Sequence, residues 1–416
     1  MSVEQLAAKL ANIVGATNLS SAPADVTAYG GLAPDLVVWP AAPVEVAAAL
    51  KTCTELGAAL GVAGRGTRVT RHWPVKDERL RVALDTRRMN NILDVDELAL
   101  TVHAECGIQL TRLEDALRRH ELTLGPFPLE ILGSTLGGAL AAPPPEAHSP
   151  RVGWLSEACL GMSVAHADGS TIQTRIAPRR ATGPDLCRLY LGSRGGLGVI
   201  TTATLRVHRV PDEQLALAYR FESLAAAAAA AARALARGVR PARLKVLGAE
   251  RALAELGEVG GPLDGVCLVL LSGAAQLVSE EHQVLDDTLA AAGATELPQS
   301  AASRWWQRRT SAEPAEQRAR VGVRLAHSRL PEALQAAPSH LKQQALALWL
   351  DEFTLQGATL WVGARSGAQA EEGVGAALRV AVLDAGLEPL RLSFPPLLEE
   401  LRARLDPHET LVVMES

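Results

Sequence analysis

The chain has 416 residues, 48% of them apolar and 21% charged, with a net charge of −5 at neutral pH. That length allows two domains, or one large domain with an insertion. The negative charge, with no basic block, excludes a nucleic-acid or anionic-membrane surface, and no apolar run reaches the ~20 residues of a membrane span.

The N-terminal MSVEQLAAKLANIVGATNL has helical spacing and lacks the basic start and apolar core of a signal peptide, so cytoplasmic residence is expected. LVVWP (36–40) reads as a strand closed by proline, Val44 to Leu56 as a helix, and ALGVAG, ending at Gly64, as a second strand. RVALD (81–85) and LALTVHAE (98–105) follow as strands. GIQLTRLEDALRRHEL (107–122) is an amphipathic helix with Ile108, Leu110, Leu113 and Leu117 on one side. A hairpin turns at Asp168-Gly169, and VITTATLRVHRV (199–210) is one β-branched strand ending before Pro211. Beyond Pro211 the composition shifts. An alanine-rich helix runs from Leu224 to Gly238, alanine being the best helix former. Strands at 243–247 and 265–272, a helix at 276–292, a strand–helix pair at 320–348 and GATLWVGAR (357–365) come next. A helix at 367–385, LEPLRLS (387–393) and a terminal helix in PPLLEELRARL complete the series. The alternation predicts an antiparallel sheet with helices on one face, a separate α+β unit. Cys53, Cys106, Cys159, Cys187 and Cys267 are scattered with no CxxC, which excludes a zinc or iron–sulfur motif and reads as reduced, mostly buried thiols.

Three glycine clusters lie in the first half. GVAGRGTRV sets Gly64-Arg65-Gly66-Thr67 directly after a strand, where successive amides can converge on an anion and Thr67 adds a hydroxyl. It is not the Rossmann dinucleotide fingerprint, because Val69 takes the third glycine's place and no helix follows, and it lacks the P-loop lysine. GSTLGGALA carries Ser134, Thr135, Gly137 and Gly138. GSRGGLGVIT places Gly192, Gly195, Gly196 and Gly198 before the strand that begins Val199-Ile200.

With LDTRRMNNILDVD, LTVHAECGIQLTRLEDAL and ATGPDL, these clusters make a series of stations from about Asp35 to Pro211 that resembles the FAD-linked oxidases of the vanillyl-alcohol oxidase type. TGPDL (182–186) points to their alkylglycerone-phosphate synthase branch. The resemblance implies an α+β fold: a two-part FAD-binding domain of the PCMH type followed by an α+β cap domain with an antiparallel sheet. It also implies boundaries: a helical extension over 1–32, the FAD-binding domain over 33–212, the cap over 213–395, and a segment over 396–416 returning to the FAD domain. It implies non-covalent FAD, since His72 lacks the histidine-containing loop of covalent members. Gly64, Arg65, Gly66 and Thr67 would cradle the pyrophosphate; Ser134, Thr135, Gly137 and Gly138 would flank the flavin side; Gly195, Gly198, Val199 and Ile200 would line the cofactor. Asp85 and Met89-Asn90 match a structural station and receive no chemistry.

The departures from the family fall where function would be. Arg65 replaces the middle of three glycines, and Arg68, Arg71, His72 and Trp73 follow Thr67 where small residues are usual. Pro143-Pro144-Pro145 occupy the flavin loop and offer no amide donors. GSRGGLG stands for the family's GSEGTLG, with Arg194 for glutamate, and Val152 stands where a tyrosine is common. RWWQRR (304–309) resembles the cap's tryptophan–arginine helix, but the histidine-rich tract before the closing LDP is missing and no tyrosine follows Tyr219. The tyrosine-dependent ether-lipid reaction is therefore not expected. Arg308, with Arg304 and Arg309, is a candidate carboxylate or phosphate contact, and His327 a candidate base; the competing readings are a solvated arginine face and a strand-end histidine. Asp94 and Asp96 share a strand face but have no third ligand nearby. Two functions follow. One is an FAD-dependent oxidoreductase acting on a small hydroxy acid or related alcohol by hydride transfer to flavin N5. The other is a non-catalytic paralogue, or a subunit whose site a protein partner completes, as in the glycolate oxidase complexes of this family; a homodimer is the remaining assembly.

Overall fold

Apolar side chains one helical turn apart in the N-terminal stretch, Leu6, Leu10 and Val14, are all buried, and their helix, Val3–Val14, packs on the helix Pro43–Leu56. The computed structural model describes residues 2–27, 29, 34–66, 78–127, 129–143, 147–177, 183–257, 259, 261–307, 320–330, 333–334, 346–351, 353–354, 356–364, 396–408 and 411. Two sheets make up the first half. The first runs in the order Leu19–Ser20, Leu36–Val38, Arg81–Asp85, Ala59–Ala63; its last three strands are parallel and the first is antiparallel. Leu36, Val37 and Val38 are buried in succession, as parallel strands covered on both faces require. The second sheet is antiparallel throughout, in the order Thr171–Gln173, Cys159–Ala165, Val199–Arg206, Thr101–Glu105, Ile92–Asp96.

Two expected elements are shorter than their periodicity. The helix expected over 107–122 spans Leu110–Arg118. Ile108 is buried as expected, but its carbonyl and that of Cys106 accept from the amides of Leu136 and Gly137, so that stretch cannot turn helical. The strand expected over 199–210 breaks at Val207: Val199–Arg206 stays in the five-stranded sheet, whereas His208–Arg209 pairs with Leu122–Thr123 in a separate ribbon.

The second half is a seven-stranded sheet in which every pairing is antiparallel. Its order is Thr295–Glu296, Glu213–Phe221, Gly265–Gly273, Arg243–Gly248, Leu346–Asp351, Gly357–Ala364, Arg320–Ala326. Helices were expected on one face; they cover both. Leu217, Tyr219 and Phe221 pack with the helices Leu224–Ala236 and Ala275–Ala290, while the alternate Ala216 and Ala218 pack with Ala249–Leu256 and Gln299–Gln307. The reason is the central strand Gly265–Gly273, apolar at nearly every position and so buried on both sides. The stretch Leu346–Asp351, partly assigned to a helix, is a strand between two others; LALWLD carries no period that separates the two. The expected helix at 367–385 and strand at 387–393 lie outside the described residues. The terminal helix Pro396–Leu405 leads back to the first sheet, where Leu411 bridges Leu60 and is buried.

Candidate functional site

The three glycine clusters meet at one cavity between the two sheets of the first half, holding about 800 Å³ of empty space with its open mouth included. Its walls are Val62, Ala63, Gly64, Arg65, Gly66, Thr86, Ser134, Thr135, Gly137, Gly138, Ala141, Ala142, Arg194, Gly195, Gly198, Val199 and Ile200. Every residue expected at the cofactor is there except Thr67, which lies outside the described residues, as do Arg68, Arg71, His72, Trp73, Pro144, Pro145, Arg308 and Arg309.

Close packing brings the clusters together. A Cβ on Gly64 would lie 2.2 Å from Thr135 Oγ1, so the first turn and the second cluster touch only because Gly64 has none. Gly198, at φ +154°, would place a Cβ 2.6 Å from Val164 Cγ1 and 2.9 Å from the Ala165 carbonyl oxygen, and is needed for that strand to begin. Thr135 caps the helix Leu136–Ala141, its hydroxyl accepting from the Gly138 amide at 3.3 Å. The Leu136 and Gly137 amides go to Ile108 and Cys106, so the start of this short helix is already satisfied. The first turn differs: among the described residues the amides of Gly64, Arg65 and Gly66 donate to no acceptor.

Thr86 reaches the cavity from a turn held by a buried network that the sequence left without a role. Asp85, wholly buried, accepts from the Tyr29 hydroxyl, from Trp39 Nε1 at 3.2 Å and from Arg87 at 2.6 Å. Burial, then the neighbouring Asp85 carboxylate, raise the Tyr29 hydroxyl to about 12. Among the described residues the lining has two arginines, Arg65 and Arg194, and no Asp, Glu, His, Tyr, Cys or Lys. Such a wall suits an extended ligand with an anionic centre: hydroxyls and unbonded amides for oxygen atoms, two cations for charge, glycine and alanine for close approach. These features fit a flavin dinucleotide.

Of the candidate catalytic residues, His327 is described, and it is not part of this cavity's wall. His327 follows the strand Arg320–Ala326, its Nε2 bonded to the Thr354 carbonyl at 2.8 Å and its ring stacked 6.3 Å from Phe353. Asp96 closes a turn by accepting from the amides of Leu98 and Ala99, and no group of three or more metal-ligating side chains occurs among the described residues. The five cysteines are free thiols; burial lifts Cys53 and Cys267 to about 12. No helix is long and apolar enough to cross a membrane among the described residues.

A second polar centre, missed in the sequence, joins the two halves. The carbonyl of His148 accepts from Arg243 of the seven-stranded sheet at 2.8 Å, and the His148 ring lies 4.8 Å from that of Trp154. Burial first, then the positive fields of Arg243 and Arg324, depress this imidazole to about 4, so it is neutral. Its Nδ1 has no hydrogen-bond partner. Nearby, Arg151 pairs with Glu281 across the same boundary.

Residues 34–175 match the family model of an FAD binding domain. That stretch is thus similar to such a domain, and the curated relatives it matches include an FAD-linked oxidoreductase of Escherichia coli, 29% identical over 170 residues, covering 41% of this chain and 35% of that one. The chain is 33% identical over 180 residues to the alkyldihydroxyacetonephosphate synthase of Dictyostelium discoideum, a match covering 43% of this chain and 29% of that protein. It is 28% identical over 290 residues to the glycolate oxidase subunit GlcD of Escherichia coli, covering 68% of this chain and 58% of that one. The matched stretch is thus less than two thirds of each of these relatives. In three dimensions the chain superposes on an alkyldihydroxyacetonephosphate synthase with a TM-score of 0.78 at 19% identity, covering 99% of this chain and 84% of that one. Against p-cresol methylhydroxylase the TM-score is 0.77 at 14% identity, covering 99% and 95%. These structural likenesses establish the PCMH-type fold with its antiparallel sheets.

Proposed function

We propose that the chain is a non-covalent flavoprotein that binds FAD in the glycine-walled cavity and oxidises a small hydroxy acid or related alcohol. The observation that carries this is the cavity itself: among the described residues it has three successive amides without acceptors and two arginines, with no acidic side chain in the wall. The division of the chain at about residue 212 follows from this reading, with residues 33–212 holding the cofactor, residues 213–395 facing the substrate and residues 396–416 returning to the first part. The chemistry such a cofactor supplies when bound is acceptance of a hydride at flavin N5 from a substrate C–H bond. This chain's residues would bind and orient it: the Gly64–Gly66 turn toward the phosphates, Ser134, Thr135, Gly137 and Gly138 beside the flavin, and the Gly195–Ile200 segment along the cofactor.

A second reading is favoured by one specific fact. Among the described residues no side chain able to accept a substrate proton lines the cavity, so on this reading the chain would act as a flavin-carrying subunit completed by a partner, or as a non-catalytic paralogue. The absorption spectrum of the purified protein, before and after denaturation, tests the cofactor claim. Flavin released into the supernatant supports it; a colourless protein that takes up no added FAD refutes it. Anaerobic bleaching by a panel of 2-hydroxy acids then separates the enzyme, which bleaches alone, from the subunit, which does not.

A further inference from the structure

Both ends of the third glycine loop rest on one side chain behind the cavity wall. The loop joins the short helix Cys187–Tyr190 to the strand Val199–Arg206, and Arg194, Gly195 and Gly198 line the cavity from it. At its entry, the Tyr190 hydroxyl lies 2.9 Å from His166 Nε2 in a buried contact. At its exit, Gly198 packs on the same ring: a Cβ there would lie 3.3 Å from His166 Cδ2. His166 and Tyr190 are 8% and 3% exposed. The ring is anchored in its turn. Its Nδ1 lies 3.2 Å from Ser170 Oγ, and the His166 amide donates to the Ser170 carbonyl at 2.9 Å, in the hairpin that follows the strand Cys159–Ala165. Burial lowers the His166 imidazole from its ordinary value. A neutral imidazole has one donor and one acceptor nitrogen, and two hydroxyls satisfy both.

The histidine supplies a constraint that the loop's own residues do not. Gly192, Gly195 and Gly198 have φ of +77°, +80° and +154°, conformations that glycine enters and leaves freely. The amides of Gly192 and Arg194 donate to the Leu140 and Ala141 carbonyls, at 3.0 and 2.8 Å, and tie the first part of the loop to the helix Leu136–Ala141. Farther along, the loop turns on a bond from Gly196 to Ser193, at 2.9 Å, and meets the sheet again where Gly198 packs on Ala165 and His166. Apolar packing is non-directional, whereas a hydrogen bond fixes a position. A loop already held in its binding shape spares the binding step the cost of ordering it. We propose that His166 is a positioning residue which, through Tyr190 and Gly198, sets this loop for the dinucleotide and so raises its affinity. This rests on the flavin reading above. The rival account is a core pair that stabilises the fold and leaves the cavity's affinity untouched.

Tyr190→Phe, His166→Asn, His166→Gln and Ser170→Ala separate the two. Y190F removes the hydroxyl and keeps the ring. H166N places its amide near the position of Nδ1 and H166Q near that of Nε2, so H166Q alone of the two still reaches Tyr190. S170A breaks the ring's other bond, away from the loop. Affinity would be measured for FAD, by quenching of its fluorescence, and for ADP, which shares the diphosphate without the flavin, by calorimetry. All titrations are run at a temperature where the unliganded variants are folded, and each variant is expected to melt below wild type. Positioning predicts that Y190F and H166N bind both ligands about 10-fold more weakly, the size of effect one buried hydrogen bond carries. H166Q should recover most of that loss, and S170A should stay within about twofold of wild type. Y190F within about twofold of wild type overturns the proposal, and it decides alone where a histidine variant does not fold. H166Q as weak as H166N, or S170A as weak as Y190F, overturns it too, because the loss then follows stability and not the Tyr190 bond. A wild type that binds ADP but not FAD overturns the flavin reading while the ADP titration still decides His166. Binding of neither overturns both.

Discussion

The two halves of the chain place their polar chemistry differently. In the first, the site is mostly main chain and small residues: Gly64 against Thr135, unbonded amides at Gly64–Gly66, alanines at the far wall. In the second, the polar features are side-chain pairs in or beside an apolar sheet, such as Glu255 between Lys245 and Arg251, at 2.8 and 2.6 Å. Holding a cofactor against backbone leaves glycine clusters in a sequence, each local and countable. A substrate site assembled from distant side chains leaves no such trace. The difference explains why a family model matches within the first half while whole-chain likeness comes from shape at low identity.

Four experiments break or sharpen this contrast. The largest effect should come from Gly107→Ala, whose Cβ would lie 1.7 Å from the Thr86 carbonyl oxygen in the turn that feeds the cavity. We expect a loss of about 4 kcal/mol or more in chemical denaturation, in the range reserved for backbone-level clashes. Gly265→Ala, with a Cβ 2.2 Å from the Ser223 carbonyl oxygen, is its counterpart in the second half. Calorimetry showing that each change lowers a different transition would establish two cooperative units; one shared transition would dissolve the contrast.

Next is Glu255→Gln, which leaves two cations without their buried carboxylate at an expected cost of about 3–5 kcal/mol. Burial pushes the Glu255 carboxyl up, but Lys245 and Arg251 outweigh it and the net shift is downward. Its contribution is therefore complete above the unfolded value of about 4.3 and is lost as the pH falls through the lower folded value. A stability–pH curve for E255Q lacking that acid limb is the check.

His148 titrates the other way. Folded, it is held to about 4, so the unfolded chain binds its proton first as the pH drops below about 6.5. Wild type should lose on the order of 3 kcal/mol between about pH 6.5 and 4, and His148→Gln should flatten that window. An unchanged slope would remove His148 from the boundary between the halves. The smallest effect belongs to Arg151→Met, which breaks the largely buried pair with Glu281 across that boundary; Glu281 keeps the Arg240 amide as a donor, so about 2 kcal/mol is expected. Its sharper reading is whether the two calorimetric transitions move apart.

Much of the first half was legible because its signals are local. The cavity wall follows from the three clusters, and two of the core strands from LVV and RVALD, though not their parallel pairing. What escaped notice depends on distant backbone. Periodicity made Gly107 and Ile108 helical, but the Thr86 carbonyl closes over Gly107 and the helix begins only at Leu110. Thr86 stands beside a recognised station, yet its place in the wall is set by the Asp85 network reaching back to Tyr29. His148 acquires meaning only beside Arg243 and Arg324, which no local pattern joins to it. Arg194 was visible as a departure from the family; that its backbone is left-handed was not.

The bridge between Leu60 and Leu411 bears on how the molecule is assembled. Leu60 belongs to the strand that ends at the first glycine turn, so the edge of that strand is closed by chain emerging from the ribosome long after the cavity's own residues. Contacts so far apart in sequence form slowly and carry a large loop-closure cost. Until residue 411 arrives, the nascent first half presents an incompletely covered strand edge, a feature associated with aggregation and with dependence on chaperones.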